Sequence, residues 1–302
     1  MNSTNSSNKV INITKKIGER RRMVKKDDQC DGKSDTRVIA ITSGKGGVGK
    51  TNIVANLGYA FSNLGKKVLI LDADWGLGNL DVLLGLAAKF NLSHVIMGDK
   101  TLREVIVSGP GDMQILPASS GIQELTQLTF DQKINVLTQL DFLVDSVDIL
   151  LIDTAAGISS NVMDFNVTAQ EILVVVSPEP TSLTDAYALM KVLSLKYAER
   201  HCKLLVNMVG STQEALEIYQ QLNQVVEKFL DISIEYVGCV LHDDKVQHGV
   251  RRQKIITEMF PNSKASRCFA NLAQKIDGSA VLKMPGKDSN FIWDHLYRNQ
   301  MA

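Results

Sequence analysis

Cysteine is scarce in this 302-residue chain, and its four copies, Cys30, Cys202, Cys239 and Cys268, never form a C-x-x-C pair. That spacing excludes a zinc knuckle and a disulfide framework and reads as reduced thiols in a reducing compartment. No apolar run approaches the roughly 18–20 residues that a membrane-spanning helix needs. The first residues are polar, without the apolar core of a secretory signal, so the expected location is the cytoplasm. Net charge is absent too, with 33 basic and 33 acidic side chains, but the balance conceals an uneven distribution. Residues 15–26, "KKIGERRRMVKK", hold seven of the basic residues and one of the acidic ones, which leaves a mildly acidic body. Such a run can hold nucleic acid or anionic lipid. With neither an amphipathic stripe nor interleaved aromatics, it reads first as a solvated tail.

What is present is a globular composition, 44% hydrophobic and 22% charged, in a chain long enough to bury a substantial core. Residues 1–36 are polar, show no sustained apolar period and read as a flexible basic extension. The fold is expected over 37–278, with 279–302 as a C-terminal tail. From Arg37 onward, short aliphatic runs alternate with stretches of helical period: "RVIAITS", "KKVLILDAD", "DMQILPAS", "VDILLIDTA", "EILVVVS", "CKLLVNMV" and "ISIEYVGCVL". Continuous apolar strands separated by helices predict an α/β fold, a mostly parallel sheet of about seven or eight strands with helices on both faces. The helix predicted over 212–230 places Ala215, Leu216, Tyr219, Leu222, Val226 and Leu230 on one buried stripe.

Ligands of such sheets bind beyond the carboxyl ends of the strands. There "SGKGGVGKT" follows the first strand, "DADWGLGN" the second, "DTAAG" the fourth and "SPEPTSLTD" the fifth. The first of these fits G-x-x-x-x-G-K-[ST], a loop whose N–H groups cradle phosphates before a helix N-terminus. Gly46, Gly47 and Gly49 let the backbone approach an anion closely. The nucleotide-binding residues are therefore Gly44, Lys45, Gly46, Gly47, Val48, Gly49, Lys50, Thr51 and Asn52, with ATP or ADP as the guest. Lys50 serves the β- and γ-phosphates and the Thr51 hydroxyl serves Mg²⁺. "ILLID" ends in Asp153, fit to hold that Mg²⁺ directly or through water. Asp72 and Asp74 flank Ala73 and project to one side, one to support the metal shell and the other to orient the attacking water.

Lys45 is a cation that the phosphate pattern does not require. It either reaches a nucleotide held by a facing subunit, so that hydrolysis depends on assembly, or adds local attraction for phosphate.

With "KGGVGKT", "GKGGVGKTN", "DADWGLGNLD", "LLIDTAAGIS" and "PEPTSLTDAYAL", the chain from about Arg37 to Ile276 resembles the deviant Walker A ATPases. That group includes MinD and ParA, and the likeness is specific to its FlhG (FleN/YlxH) branch. The resemblance implies a slow Mg²⁺-dependent ATPase, monomeric with ADP and dimeric with ATP, that controls flagellar number and placement. It implies Lys45, Lys50 and Asp74 as the catalytic set, Thr51, Asp72 and Asp153 around Mg²⁺, and Asn207 against adenine. It further implies that "LHDD", with Asp243, lies where relatives complete the base pocket. Implied partners are a second copy of the chain, an FlhF-type GTPase, a σ54-dependent flagellar transcriptional regulator and flagellar switch-complex proteins. Relatives carry an N-terminal D-Q-A-x-x-L-R motif that stimulates the GTPase, whereas "DDQCDGKS" retains only Asp28 and Gln29. They also end in an amphipathic helix that binds membrane. Here residues 289–302 carry Ile292, Trp293, Leu296, Tyr297 and Met301 on one arc but Arg298 as the only strong cation. Reversible attachment to the inner membrane or cell pole, docking on the protein's own surface and fraying remain three readings of that tail. A ParA-like partition ATPase that grips DNA as an ATP dimer is the alternative function, disfavoured by the acidic body.

Overall fold

The computed structural model describes residues 36–74, 78–118 and 143–280, with residues 132, 136, 139 and 140 between them. The extension, the C-terminal tail, and with them the Asp28–Gln29 remnant and the amphipathic arc, lie outside the described residues. Among the described residues, one sheet holds eight strands: β1 (Arg37–Ser43), β2 (Val68–Ala73), β3 (Val107–Ser108), β4 (Gln114–Leu116), β5 (Ile149–Ala156), β6 (Glu171–Val176), β7 (His201–Val209) and β8 (Ser233–Leu241). Their order is β3-β4-β2-β5-β1-β6-β7-β8. Every pairing is parallel except β3 with β4. The two-residue β3 is too short to leave a period in the sequence, and it was not among the expected strands.

The strands are buried on both sides because helices cover both faces. Leu173 and Val175 of β6 join one core and Val174 and Val176 the other, the alternation a central strand requires. The first core packs under α1 (Lys50–Asn63), with Ile53, Leu57 and Phe61 against Ile39, Ile41 and Ile70. Over the same face lies the late helix Lys264–Gly278, which adds Phe269, Leu272 and Ile276. The second core lies under α2 (Ser160–Thr168), α3 (Pro180–Tyr197) and α4 (Thr212–Phe229). In α4 the buried stripe is Ala215, Ile218, Leu222 and Val226. Leu216, expected in that stripe, is 39% exposed, because the i, i+3, i+7, i+11 row runs through Ala215 and leaves position 216 on the flank. After β8 come α5 (Asp244–Arg251) and then α6, the Lys264–Gly278 helix. No helix among the described residues is long and apolar enough to cross a membrane.

This topology brings the ends of β1, β2, β5 and β6 together. Asp72 and Asp153 stand directly opposite one another in the β2–β5 ladder. Two carboxylates 81 positions apart in sequence therefore share one rim.

Candidate nucleotide-binding site

The loop between β1 and α1 is shaped by glycine where no other residue fits. Gly47 and Gly49 take left-handed φ values of 83° and 89°, a region that costs a side chain roughly 1–2 kcal/mol. A Cβ on Gly44 would lie 2.1 Å from the Asp185 carbonyl oxygen, so the loop rests directly on the backbone of α3. The segment after β5 is tied in as well, by the Gly157 N–H to the Ser43 carbonyl at 2.9 Å. A glycine-rich loop at the N-terminus of a 14-residue helix has the make-up of an anion cradle.

Lys50 opens α1 and is only 9% exposed, its Nζ donating to Ser43 Oγ at 2.8 Å. Burial holds its pKa below the ordinary lysine value, against the opposing fields of Asp153 and Asp74. Beside it, Thr51 donates its hydroxyl to the Asp153 carboxylate. Burial lifts Asp153 to about 7, although the Thr51 hydroxyl and Lys50 pull the other way. Its Oδ1 is buried and has no hydrogen-bond partner among the described residues. An orphaned carboxylate oxygen beside a hydroxyl, at the edge of a phosphate cradle, is the donor set of a hard divalent cation, and these residues fit Mg²⁺.

Asp72 is 1% exposed and accepts from the Asp74 N–H at 3.1 Å and the Leu80 N–H at 3.3 Å. Burial first, then the charge of Asp153, lift its pKa to about 8. A Cβ on Gly78 would meet Asp72 Oδ2 at 2.7 Å, so that glycine closes on the carboxylate. Asp74 is half-buried, and its charge reaches both Lys50 and Asp153.

Lys45 stands apart from this buried group. Its ammonium pairs with Glu179 and donates to the Thr181 hydroxyl oxygen at 2.8 Å, both at the start of α3, and its side chain stays 34% exposed. Glu179 and Thr181 were not singled out from sequence. The signal was "SPEPTSLTD" at a strand end, without any spacing that tied it to Lys45. Ser43, the partner of Lys50, gave no motif signal of its own.

On the far side of the loop lies a cleft lined by Gly49, Asn52, Asn207, Met208, His242 and Asp243, with Val240, Val246 and Phe269 as its apolar wall. Asn207, at the end of β7, donates Nδ2 to the Val48 carbonyl at 2.8 Å and so braces the phosphate loop. Asp243 caps α5 by accepting from the Lys245 N–H at 3.1 Å and reaches the Ala265 N–H at 3.3 Å.

Fold and site together define a P-loop nucleotide-binding protein. A family model described as an AAA domain matches residues 36–206. The antiactivator FleN of Pseudomonas aeruginosa is 43% identical over 263 residues, covering 87% of this chain and 94% of that protein. The flagellum site-determining protein YlxH of Helicobacter pylori is 33% identical over 244 residues, 80% of this chain and 82% of that one. Among solved structures, septum site-determining protein MinD of Pyrococcus horikoshii complexed with Mg-ADP superposes with a TM-score of 0.65 at 26% identity, covering 80% of this chain and 96% of that one. The chain belongs to the MinD/ParA family of P-loop ATPases, in the branch that holds FleN and YlxH.

Proposed function

We propose that the chain is an ATP-hydrolysing switch that pairs with a second copy of itself while ATP is bound and so controls flagellar number and placement through other proteins. The observation that carries this reading is the contrast between the two lysines of one loop. Lys50 is buried against its own carboxylates, whereas Lys45 sits on the outer rim in an exchangeable contact with Glu179. In the proposed cycle, Lys50 and the N–H groups of residues 44–52 bind the phosphates, and Thr51 and Asp153 hold Mg²⁺. The metal, when bound, offsets the charge of the phosphates. Asp72 supports the metal shell through its neighbours, and Asp74 orients the attacking water. Asn207 and Asp243 border the base. Lys45 leaves Glu179 and reaches the phosphates of the facing subunit, which makes slow hydrolysis depend on assembly.

The flagellar reading rests on the likeness to FleN and YlxH, whose names describe an antiactivator and a flagellum site-determining protein. An antiactivator role fits a σ54-dependent flagellar transcriptional regulator as partner. An FlhF-type GTPase and the switch complex are the other proposed partners, reached from the cytoplasm or from the inner membrane or cell pole through residues 289–302.

Light-scattering mass with ADP and with ATP tests the switch. The expected result is a mass that doubles with ATP in Asp74→Ala and stays monomeric in Lys45→Ala. A mass that never changes with nucleotide overturns the dimerising switch.

A further inference from the structure

The turn after α5 is a basic stretch in a body that is otherwise acidic. Residues 245–257 carry Lys245, Arg251, Arg252 and Lys254 and not one acid. Arg251, Arg252 and Lys254 are exposed, and no ion pair among the described residues engages them. Gln253, in their midst, clasps a distant segment. Its Nε2 donates to the Val82 carbonyl at 3.0 Å across 171 positions, and its own N–H donates to the Val250 carbonyl at 3.0 Å. Gly85 makes room for the clasp, since a Cβ there would lie 3.2 Å from the Gln253 carbonyl oxygen. Val82 and Val250, which Gln253 joins, remain 54% and 39% exposed. The neighbouring acid, Asp81, is turned onto the Val82 N–H at 2.8 Å.

Both halves of this surface hang from the candidate site. The Leu80 N–H donates to Asp72 and opens the four-residue helix Leu80–Leu83 that carries Val82. On the other side, the eight-residue α5 starts from Asp243 at the cleft and leads to the basic turn. Two exposed β-branched side chains beside three cations are complemented by an apolar anchor set among carboxylates. A bilayer or a nucleic acid would present its negative charge to the acidic body as well, whereas a short segment meets the basic turn alone. On the reading that this chain acts through other proteins, we infer that Val82, Val250, Arg251, Arg252 and Lys254 form a surface that docks an acidic segment of a partner protein with an apolar residue at its centre. Because the surface hangs from Asp72 and Asp243, the segment is held with different affinity in the ATP and ADP states.

Fluorescence anisotropy of a labelled peptide, glutamates flanking a pair of leucines, tests this on the full chain with Mg–ADP and with Mg–ATP. The expected result is binding that differs between the nucleotides and that is lost when lysines replace the glutamates. Arg251→Glu combined with Arg252→Glu should weaken it about tenfold or more, and Val82→Ser about two- to fivefold. Melting temperature and ATPase rate of these variants should stay at the wild-type values. A wild type that binds the peptide in neither nucleotide state overturns the inference, as do variants that bind it as tightly as the wild type. So does a wild type that ignores the peptide but retains phosphatidylglycerol vesicles or duplex DNA through the same arginines. Equal peptide affinity with ADP and ATP overturns the link to the site. Light-scattering mass of the same samples keeps the two readings apart. A mass that doubles with ATP while the peptide stays free overturns this inference alone, and a mass that never changes overturns the dimerising switch whatever the peptide does.

Discussion

The two edges of the sheet carry buried charge in opposite ways. At the amino ends of the strands, Arg37 of β1 grips Glu171 of β6 through two hydrogen bonds, at 2.5 and 2.9 Å. The same guanidinium donates to the carbonyls of Ile276 and Ser279 at the end of α6. Lys203 of β7 reaches Glu171 at 3.5 Å and Glu235 of β8 at 2.6 Å. Cation and anion alternate across four strands, and the charges of each are answered. At the carboxyl ends, Asp72 and Asp153 face each other with Lys50 beside them, both pushed into the neutral range by burial. One oxygen there has no hydrogen-bond partner among the described residues. A paired buried charge holds an architecture together, whereas one left unanswered is poised for a ligand that is not part of the chain.

The contrast can be broken from either side. If the proposed function holds, Lys50→Ala should lower ATP affinity on the order of a hundredfold or more, since it would remove a buried charge-assisted phosphate contact. Its urea midpoint should hardly move, and intact ATP binding would remove the loop from the site. Arg37→Met should do the reverse. Stripping one partner from a buried ion pair costs about 3–5 kcal/mol, which urea unfolding would read as a lower midpoint while ATP affinity stays at the wild-type value. A variant as stable as the wild type would show that the amino-end network is dispensable.

The last predicted change concerns pH. Asp72 and Asp153 have folded-state pKa values raised to about 8 and about 7, from 3.8. The folded state therefore binds more protons than the unfolded chain between these limits. Stability conferred by the protonated carboxyls is complete below about pH 4 and is lost as pH rises through 7 to 8. Asp153→Asn should flatten that slope and raise the nucleotide-free stability near pH 8 by on the order of 2–4 kcal/mol. Mg²⁺ and ATP should flatten it in the wild type as well, because the metal favours the ionised carboxylates. Melting curves at pH 5 and pH 8 decide this, and parallel curves for both proteins would remove Asp153 as the origin.

Much of this was legible in the chain itself. "RVIAITS" coincides with β1 and "EILVVVS" covers β6, because a strand buried on both faces must be apolar at every position. That the glycine-rich loop from Gly44 lies between a strand and a helix could be read without a structure, since the phosphate-loop pattern dictates glycine at fixed offsets in that setting. The stripe of α4 was misread at Leu216, where a one-residue error on a helical face looks identical in a pattern of Ala, Leu and Tyr. The α/β class, the place of the phosphate loop and the aspartate at the end of "ILLID" were all determined by local rules of spacing and hydropathy.

Other features are properties of approach between distant segments, and only the tertiary structure decided them. Asp72 and Asp153 become a pair because β2 and β5 are neighbours in the ladder. Lys45 meets Glu179 across 134 positions. Arg37 answers Glu171 over the same separation, and the bulge at Met208 arises from a register slip between two strands. Burial, desolvation and strain depend on what each group packs against, and no single segment of sequence contains that information.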